Sequence, residues 1–144
     1  LSVDKSAEPG RKEGERGPDE GELSFAHPTG SKRITLNFGQ YHGVLHLGLD
    51  YAASEGDEVL ASCAGTVVCA MERGGYGLMI EIDHGGGFVT RYAHLSAINV
   101  ALGATVAQGD VIGLAGSTGN CKSAVLHFEL RCDGIAYNPR FYLH

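Results

Sequence analysis

Leu78-Met79-Ile80-Glu81-Ile82-Asp83 is followed by the glycine-rich segment His84-Gly85-Gly86-Gly87, and the chain then continues as Phe88-Val89-Thr90-Arg91-Tyr92-Ala93-His94. Both flanking segments contain β-branched or aromatic residues, and a glycine cluster between two such segments is typical of a turn. The pattern therefore predicts two antiparallel strands joined by a tight turn, with His84 in the turn exposed to solvent.

The rest of the chain from Phe25 onward repeats this pattern of short apolar segments and glycine-rich turns. Further strands are predicted in 59–71, where Gly65 separates two of them, around Val111, and in 126–132. No amphipathic helix longer than two turns is visible, and 22 of the 144 residues are glycine, which favours turns and strands over helices. The sequence therefore predicts an all-β domain.

Composition and charge exclude several classes of protein. With 43% apolar residues, the 144-residue chain is long enough for one domain with a hydrophobic core. The net charge is -6 and the chain has no basic cluster, which argues against a nucleic-acid partner and against binding to an anionic membrane surface. The apolar segments are too short to span a bilayer, so attachment to a membrane would need a segment upstream of this chain.

The first 22 residues differ in composition from the rest. They hold four basic and seven acidic residues and almost no large apolar side chain. Such a segment cannot bury enough apolar surface to offset the entropy lost on ordering. We therefore expect a flexible charged tether at 1–22 and a single folded domain at 23–144.

A candidate metal site begins with His46-Leu47-Gly48-Leu49-Asp50. Residues four apart in a strand lie about 13 Å apart, whereas two ligands of one zinc ion place their donor atoms roughly 3–3.5 Å apart. The chain must therefore bend between His46 and Asp50, and Gly48 permits a bend. His127 could supply a third ligand, and two imidazoles with one carboxylate suit catalytic zinc. The alternative is a surface histidine beside an unrelated aspartate.

Alternation along the predicted strands places other polar side chains near this candidate site. His127 and Glu129 share the face of the last strand that points away from its apolar side chains. By the same rule Thr90, Tyr92 and His94 are expected to share one face of their strand. His46, His94 and His127 are each expected at a strand end or a bend. Three histidines in such positions favour a functional site over isolated structural histidines.

An ordered series of short motifs then identifies a family. The pieces are Asn37-Phe38-Gly39, His46-Leu47-Gly48-Leu49-Asp50, Gly65-Thr66-Val67-Val68, Tyr92-Ala93-His94-Leu95-Ser96, Gly116-Ser117-Thr118-Gly119 and Leu126-His127-Phe128-Glu129-Leu130. Each piece alone is weak, but the whole series in this order is specific. From about Thr35 to its end, the chain resembles the LytM/lysostaphin-type zinc endopeptidases, which cut peptide cross-links in bacterial cell walls.

The resemblance implies a small antiparallel two-sheet sandwich or barrel-like fold with an open groove. Zinc would be bound in that groove by His46, Asp50 and His127, and His94 would match the catalytic histidine that orients or deprotonates the attacking water. The substrate would be peptide stems or cross-bridges of peptidoglycan, and the domain would act outside the cytoplasm. Further groove or supporting residues are expected at Asn37, Tyr76, Tyr92 and Glu129.

One position departs from the family pattern. Members normally carry His-Leu-His in the last motif, whereas this chain has Val125-Leu126-His127. The first of those histidines is the second catalytic imidazole, and Val125 occupies its place without being able to donate a hydrogen bond. Tyr92, or Lys122 or Ser123 in the preceding loop, could substitute as the donor. The alternative is a catalytically impaired domain that binds peptidoglycan or a wall-associated partner protein as an activator or scaffold.

Two protein classes unrelated to zinc hydrolysis also share features with parts of the sequence. Segments such as Gly109-Asp110-Val111-Ile112-Gly113 occur in lipoyl- and biotinyl-carrier domains, but those domains need a modifiable lysine at a hairpin tip. After Arg33 the only lysine is Lys122, in an unsuitable loop. A cysteine hydrolase built on Cys121 would need a feature that lowers the pKa of its thiol, and the sequence offers none.

Overall fold

A computed structural model describes residues 16–144 of the chain, and these residues form an antiparallel all-β domain. The strands are β1 (Ile34–Leu36), β2 (Gly39–Tyr41), β3 (Val44–His46), β4 (Leu49–Ala52), β5 (Glu58–Leu60), β6 (Gly65–Glu72), β7 (Leu78–Gly85), β8 (Phe88–Ile98), β9 (Thr105–Val106), β10 (Val111–Ala115), β11 (Val125–Cys132) and β12 (Ile135–Tyr137). Only two short 3₁₀ turns, Gly74–Tyr76 and Pro139–Phe141, represent helical structure between residues 16 and 144. The predicted fold class is confirmed.

The predicted hairpin lies at the centre of the sheet. Strands β7 and β8 pair antiparallel, and Gly85 opposes Phe88 across the turn. Ten strands form one branched sheet in which β1, β4, β11, β8, β7, β6 and β9 are successive neighbours, while β2 and β3 form a separate two-stranded sheet. The central hairpin therefore holds β11 and β4, which carry His127 and Asp50, at one side of β8.

Strand β8 changes partner along its length. Its first half pairs with β11, from His127 opposite Ala93 to Cys132 opposite Phe88. Its second half pairs with β10, from Leu95 to Ile98. The change of partner coincides with a bulge against β7, and His94 there has a positive φ of 63°. A non-glycine residue rarely adopts this conformation, so packing on both sides holds His94 in a strained backbone.

The hydrophobic core lies on one face of β8 and β11. Tyr92, Leu126 and Phe128 are fully buried there, and the rings of Tyr92 and Phe128 have centroids 5.4 Å apart. Alternation then directs His127 and Glu129 to the opposite face of β11. The strand thus separates an apolar layer from a polar one, as predicted.

The segment predicted to be a tether is described only from residue 16, and its first fifteen residues lie outside the described part. Arg16 donates from Nη1 to the Phe141 carbonyl at 2.6 Å, and its guanidinium lies 4.7 Å from the centroid of the Tyr142 ring. The Tyr142 hydroxyl donates to the Pro18 carbonyl at 2.6 Å. The boundary between tether and domain at residue 22 stays a prediction.

Between residues 16 and 144, no helix combines the length and apolar character that a membrane crossing requires.

Candidate metal centre

The chain bends between β3 and β4 so that His46 and Asp50 face each other. His46 ends β3 and Asp50 is the second residue of β4. Gly48 lies between them, and a Cβ atom at this position would lie 2.2 Å from the Phe128 carbonyl oxygen. Glycine is therefore needed because the β3–β4 connection passes directly against the backbone of β11. The predicted bend is present, and the absence of a Cβ atom at Gly48 allows this close approach.

Asp50 contacts both of the other candidate ligands, His46 and His127. It is the register partner of His127 across β4 and β11. Its Oδ1 lies 3.1 Å from His46 Nε2 and 2.8 Å from His127 Nδ1. The donor atoms of all three residues lie within 4.8 Å of one another. Two imidazole nitrogens and one carboxylate oxygen at these separations fit zinc, and three protein ligands leave one coordination position open.

Both imidazole rings are fixed by a second contact on their other nitrogen. His46 Nδ1 donates to the Asn37 carbonyl at 2.8 Å, which leaves Nε2 directed at Asp50. His127 Nε2 lies 2.8 Å from Glu129 Oε2, which leaves Nδ1 directed at Asp50. Hydrogen bonds of this kind orient metal-binding imidazoles in proteins. The arrangement therefore prepares one nitrogen of each ring for a cation.

The electrostatics of the cluster also favour a cation. Burial raises the pKa of the Asp50 carboxyl, but His127 and His46 outweigh burial and hold that pKa below its ordinary value. Burial lowers the pKa of His127, but the carboxylates of Asp50 and Glu129 outweigh burial and raise it. The cluster thus holds ionised carboxylates that attract positive charge to the space between the rings.

His94 lies beside this cluster because of the bulge in β8. Its ring centroid is 6.0 Å from that of His127, and its Nδ1 donates to the Thr118 carbonyl at 2.8 Å. The pKa of His94 is lowered to about 4, mainly by burial and also by His127, although the Thr118 carbonyl opposes the shift. The ring is therefore neutral at pH 7, and its Nε2 carries a lone pair.

The expectation that Tyr92 and His94 share a face of β8 is wrong, because the bulge between them breaks the alternation. Tyr92 points into the core, where its hydroxyl accepts from the Ser62 N–H at 2.9 Å and lies 2.7 Å from Thr90 Oγ1. Tyr92 is thus a core residue, and the structure does not bring it to the groove. Its hydroxyl is also unavailable as a substitute donor for the missing imidazole.

Asn37 and Val125 border the cluster in different ways. The Asn37 side chain accepts from Arg140 Nε at 2.8 Å, so this residue reaches the site through its carbonyl. Val125 shares a strand face with His127 and is half-buried opposite Ala52. An apolar pair therefore continues the sheet face that carries Asp50 and His127.

Glu129 and Tyr76 lie behind His127 in a buried polar layer. The Tyr76 hydroxyl donates to Glu129 Oε2 at 2.9 Å. Arg131 Nε donates to Glu129 Oε1 at 2.7 Å, and Arg91 Nη1 lies 3.5 Å from the same oxygen. Sequence reasoning missed the two arginines. Two features of the sequence could have indicated them. Arg131 lies two residues after Glu129 on β11 and so shares its face, and Arg91 lies on the neighbouring strand β8.

With fold and site geometry established, comparison with known proteins identifies the family. The model of Peptidase family M23 matches residues 44–139, which is more than half of the chain. The chain therefore belongs to peptidase family M23, and the resemblance inferred from its motifs is confirmed.

Two curated relatives and one solved structure illustrate the range of the matches. DD-carboxypeptidase/endopeptidase Mpg of Neisseria meningitidis serogroup B is 43% identical over 113 residues, covering 74% of this chain and 26% of the relative. Murein hydrolase activator EnvC of Escherichia coli is 38% identical over 96 residues, covering 67% of this chain and 23% of the relative. A zinc-containing peptidase from Vibrio cholerae superposes with a TM-score of 0.75 at 30% identity, covering 80% of this chain and 39% of that one. The chain thus spans about a quarter of the length of these curated relatives.

Proposed function

We propose that residues 23–144 form a zinc metalloendopeptidase domain that hydrolyses peptide cross-links of peptidoglycan outside the cytoplasm. The observation that carries this proposal is the convergence of His46 Nε2 and His127 Nδ1 on Asp50 Oδ1. Bound between these atoms, zinc would lower the pKa of a water molecule and polarise the scissile carbonyl. A membrane-tethered form would depend on a segment outside this chain.

His94 is the candidate general base and acid. The Thr118 carbonyl holds the Nδ1 proton of His94, so Nε2 can accept a proton from water and later return it to the leaving amine. The bulge in β8 brings this ring beside His127, with the ring centroids 6.0 Å apart. His94 therefore moves the proton, while the three ligands bind the ion.

The substrate and the location rest on the relatives. The name of murein hydrolase activator EnvC refers to murein, and the name of DD-carboxypeptidase/endopeptidase Mpg refers to a peptidase. Membership in the same family, together with the cluster of His46, Asp50 and His127, supports peptidoglycan peptides as the substrate class.

Val125 and the similarity to an activator favour a second candidate function. Val125 lacks the hydrogen-bond donor expected at this position, and loss of one donor to the developing oxyanion lowers turnover by about 10²–10³. Lys122 and Ser123 are exposed in the preceding loop, where a side chain is hard to hold in the required geometry. The domain would then bind zinc and a cell-wall peptide or a partner protein without efficient cleavage.

Incubation of the zinc-loaded chain with purified peptidoglycan, followed by separation of the released peptides, tests the proposal. Cleavage should require zinc and should be lost in Asp50→Asn and in His94→Ala. Binding to peptidoglycan without any released peptide would support the second candidate. Cleavage that persists in Asp50→Asn would contradict the proposed metal centre.

A further inference from the structure

The side chain of Glu129 is surrounded by hydrogen-bond donors. Its Oε2 accepts from the Tyr76 hydroxyl at 2.9 Å and lies 2.8 Å from His127 Nε2. Its Oε1 accepts from Arg131 Nε at 2.7 Å and lies 3.5 Å from Arg91 Nη1. Glu129 and His127 are both fully buried, so water cannot replace any of these partners easily.

Surrounded by these donors, Glu129 acts toward the imidazole ring of His127 as a hydrogen-bond acceptor. A carboxylate only accepts hydrogen bonds, so the proton between Glu129 and His127 belongs to Nε2 of the imidazole. The other ring nitrogen, Nδ1, then presents its lone pair to a cation beside Asp50. The guanidinium of Arg131 donates to Oε1 from Nε at 2.7 Å, so this oxygen faces a donor and Oε2 is left to the Tyr76 hydroxyl and the ring.

We propose that Glu129 is the positioning residue of this site: it holds the proton of His127 on Nε2 and thereby selects Nδ1 as the zinc-binding atom. The inference deepens the proposed function and rests on it. Tyr76, Arg91 and Arg131 act through Glu129, because each places an N–H or O–H group beside one of its two oxygens.

The variant Glu129→Gln separates positioning from simple packing, because glutamine has nearly the same shape. An amide presents one acceptor oxygen and one donor NH₂ group, and a guanidinium cannot accept a hydrogen bond. The amide oxygen must therefore face Arg131 and Arg91, and the NH₂ group must face His127. The ring then accepts at Nε2 and carries its proton on Nδ1, which blocks the zinc-binding atom.

Glu81→Gln is the matched control. Glu81 accepts from Arg91 Nε at 2.8 Å and lies on the neighbouring strand β7. This variant also removes one carboxylate from Arg91, but the contact between Glu129 and His127 stays intact. A general effect of weakening the charged layer would appear in both variants, whereas a positioning effect would appear only in Glu129→Gln.

The readout is the zinc dissociation constant, measured by competition with a chromophoric chelator, together with the unfolding free energy of the metal-free proteins. Glu129→Gln should bind zinc about 10–100-fold more weakly, and Glu81→Gln should bind as the wild type does. Equal affinity of Glu129→Gln and the wild type would overturn the inference. A wild type that binds no zinc would instead overturn the proposed function.

A measurement on the wild type keeps the inference testable if Glu129→Gln does not fold. ¹⁵N NMR of the zinc-loaded protein distinguishes the metal-bound and the protonated nitrogen of His127. The expected result is a hydrogen-bonded proton on Nε2 and metal at Nδ1. Metal at Nε2 would contradict a positioning role for Glu129, whatever the affinity.

Discussion

At the scale of single residues, Val125 separates the two candidate functions. It lies on the same face of β11 as His127, and its strand partner is Ala52. The variant Val125→His would restore an imidazole at this position. We expect the rate of peptidoglycan cleavage to rise by about 10²–10³, since one donor to the developing oxyanion contributes that much. Release of peptides from purified peptidoglycan under zinc saturation measures the effect.

The control for this prediction is Val125→Leu, which adds bulk without a donor and should leave the rate unchanged. The same low rate in Val125→His and in the wild type, with zinc still bound, would show that the groove is impaired at other positions as well.

Gly48 is the second residue on which the site depends. Replacement by alanine places a Cβ atom 2.2 Å from the Phe128 carbonyl oxygen and 2.9 Å from Glu129 Cγ. The β3–β4 connection must then move away from β11, at a cost of about 1–3 kcal/mol in unfolding free energy. Zinc affinity should also fall, because His46 and Asp50 flank the displaced bend. Chemical denaturation and chelator competition measure the two effects.

Gly30→Ala is a suitable control for Gly48→Ala, because a Cβ atom at Gly30 meets no atom within 4 Å. This variant should retain both stability and zinc affinity. A Gly48→Ala protein that matches Gly30→Ala in both measurements would contradict the close approach of β3–β4 to β11.

The sequence predicted most of the candidate site residue by residue. His46, Asp50 and His127 converge as the motif predicted, and His94 lies beside them. Tyr92 was misplaced because alternation assumes an unbroken strand, and a bulge cannot be located from a period of two.

At the scale of elements, the turn of the central hairpin is held by a chain of hydrogen bonds. His84 Nδ1 donates to the Ala64 carbonyl at 2.7 Å, and its Nε2 lies 2.7 Å from Thr90 Oγ1. Thr90 Oγ1 in turn lies 2.7 Å from the Tyr92 hydroxyl. The expectation that His84 is solvated was wrong, because a turn position says nothing about contacts with other parts of the chain.

This hydrogen-bond chain predicts a pH dependence of stability. Burial lowers the pKa of His84 below its ordinary value, although the Ala64 carbonyl and Asp83 oppose the shift. The unfolded chain therefore binds a proton more readily than the folded one, and stability falls as the pH drops below about 6.5. We expect His84→Gln, which cannot ionise, to show a shallower loss of unfolding free energy between pH 7 and pH 5.

Urea denaturation at several pH values measures this dependence. For each protein, the slope of the unfolding free energy against pH is determined. The difference between the slopes of the wild type and His84→Gln is due to His84, since both proteins share every other titrating group. Identical slopes for the wild type and His84→Gln would mean that protonation of His84 costs the folded state nothing.

The strands themselves were predictable because their signals are local. The hairpin of β7 and β8, the successive strands β5 and β6, and β11 all lie where alternation and glycine clusters placed them. The branching of the sheet at β8 was not predictable, since it depends on a bulge and on which distant strands pair with each half.

At the scale of the whole molecule, the boundary between tether and domain can be tested by truncation. Removal of residues 1–15 should leave the melting temperature unchanged, because their composition cannot support packing. Removal of residues 1–22 also deletes the contacts of Arg16 and Pro18 with Phe141 and Tyr142. It should lower the melting temperature, which would move the domain boundary from residue 23 to about residue 16. Differential scanning calorimetry of both truncated chains compares them. Equal melting temperatures for both would support a domain that begins at residue 23.

The central claim is that His46, Asp50 and His127 bind one zinc ion. The most direct test is the zinc content and zinc affinity of the purified chain, measured by elemental analysis and chelator competition beside His127→Ala and Asp50→Ala. The account predicts one zinc per wild-type chain and its loss in both variants, with the β-sheet signal in circular dichroism retained. A folded wild type without zinc, or variants that bind zinc as tightly as the wild type, would contradict it.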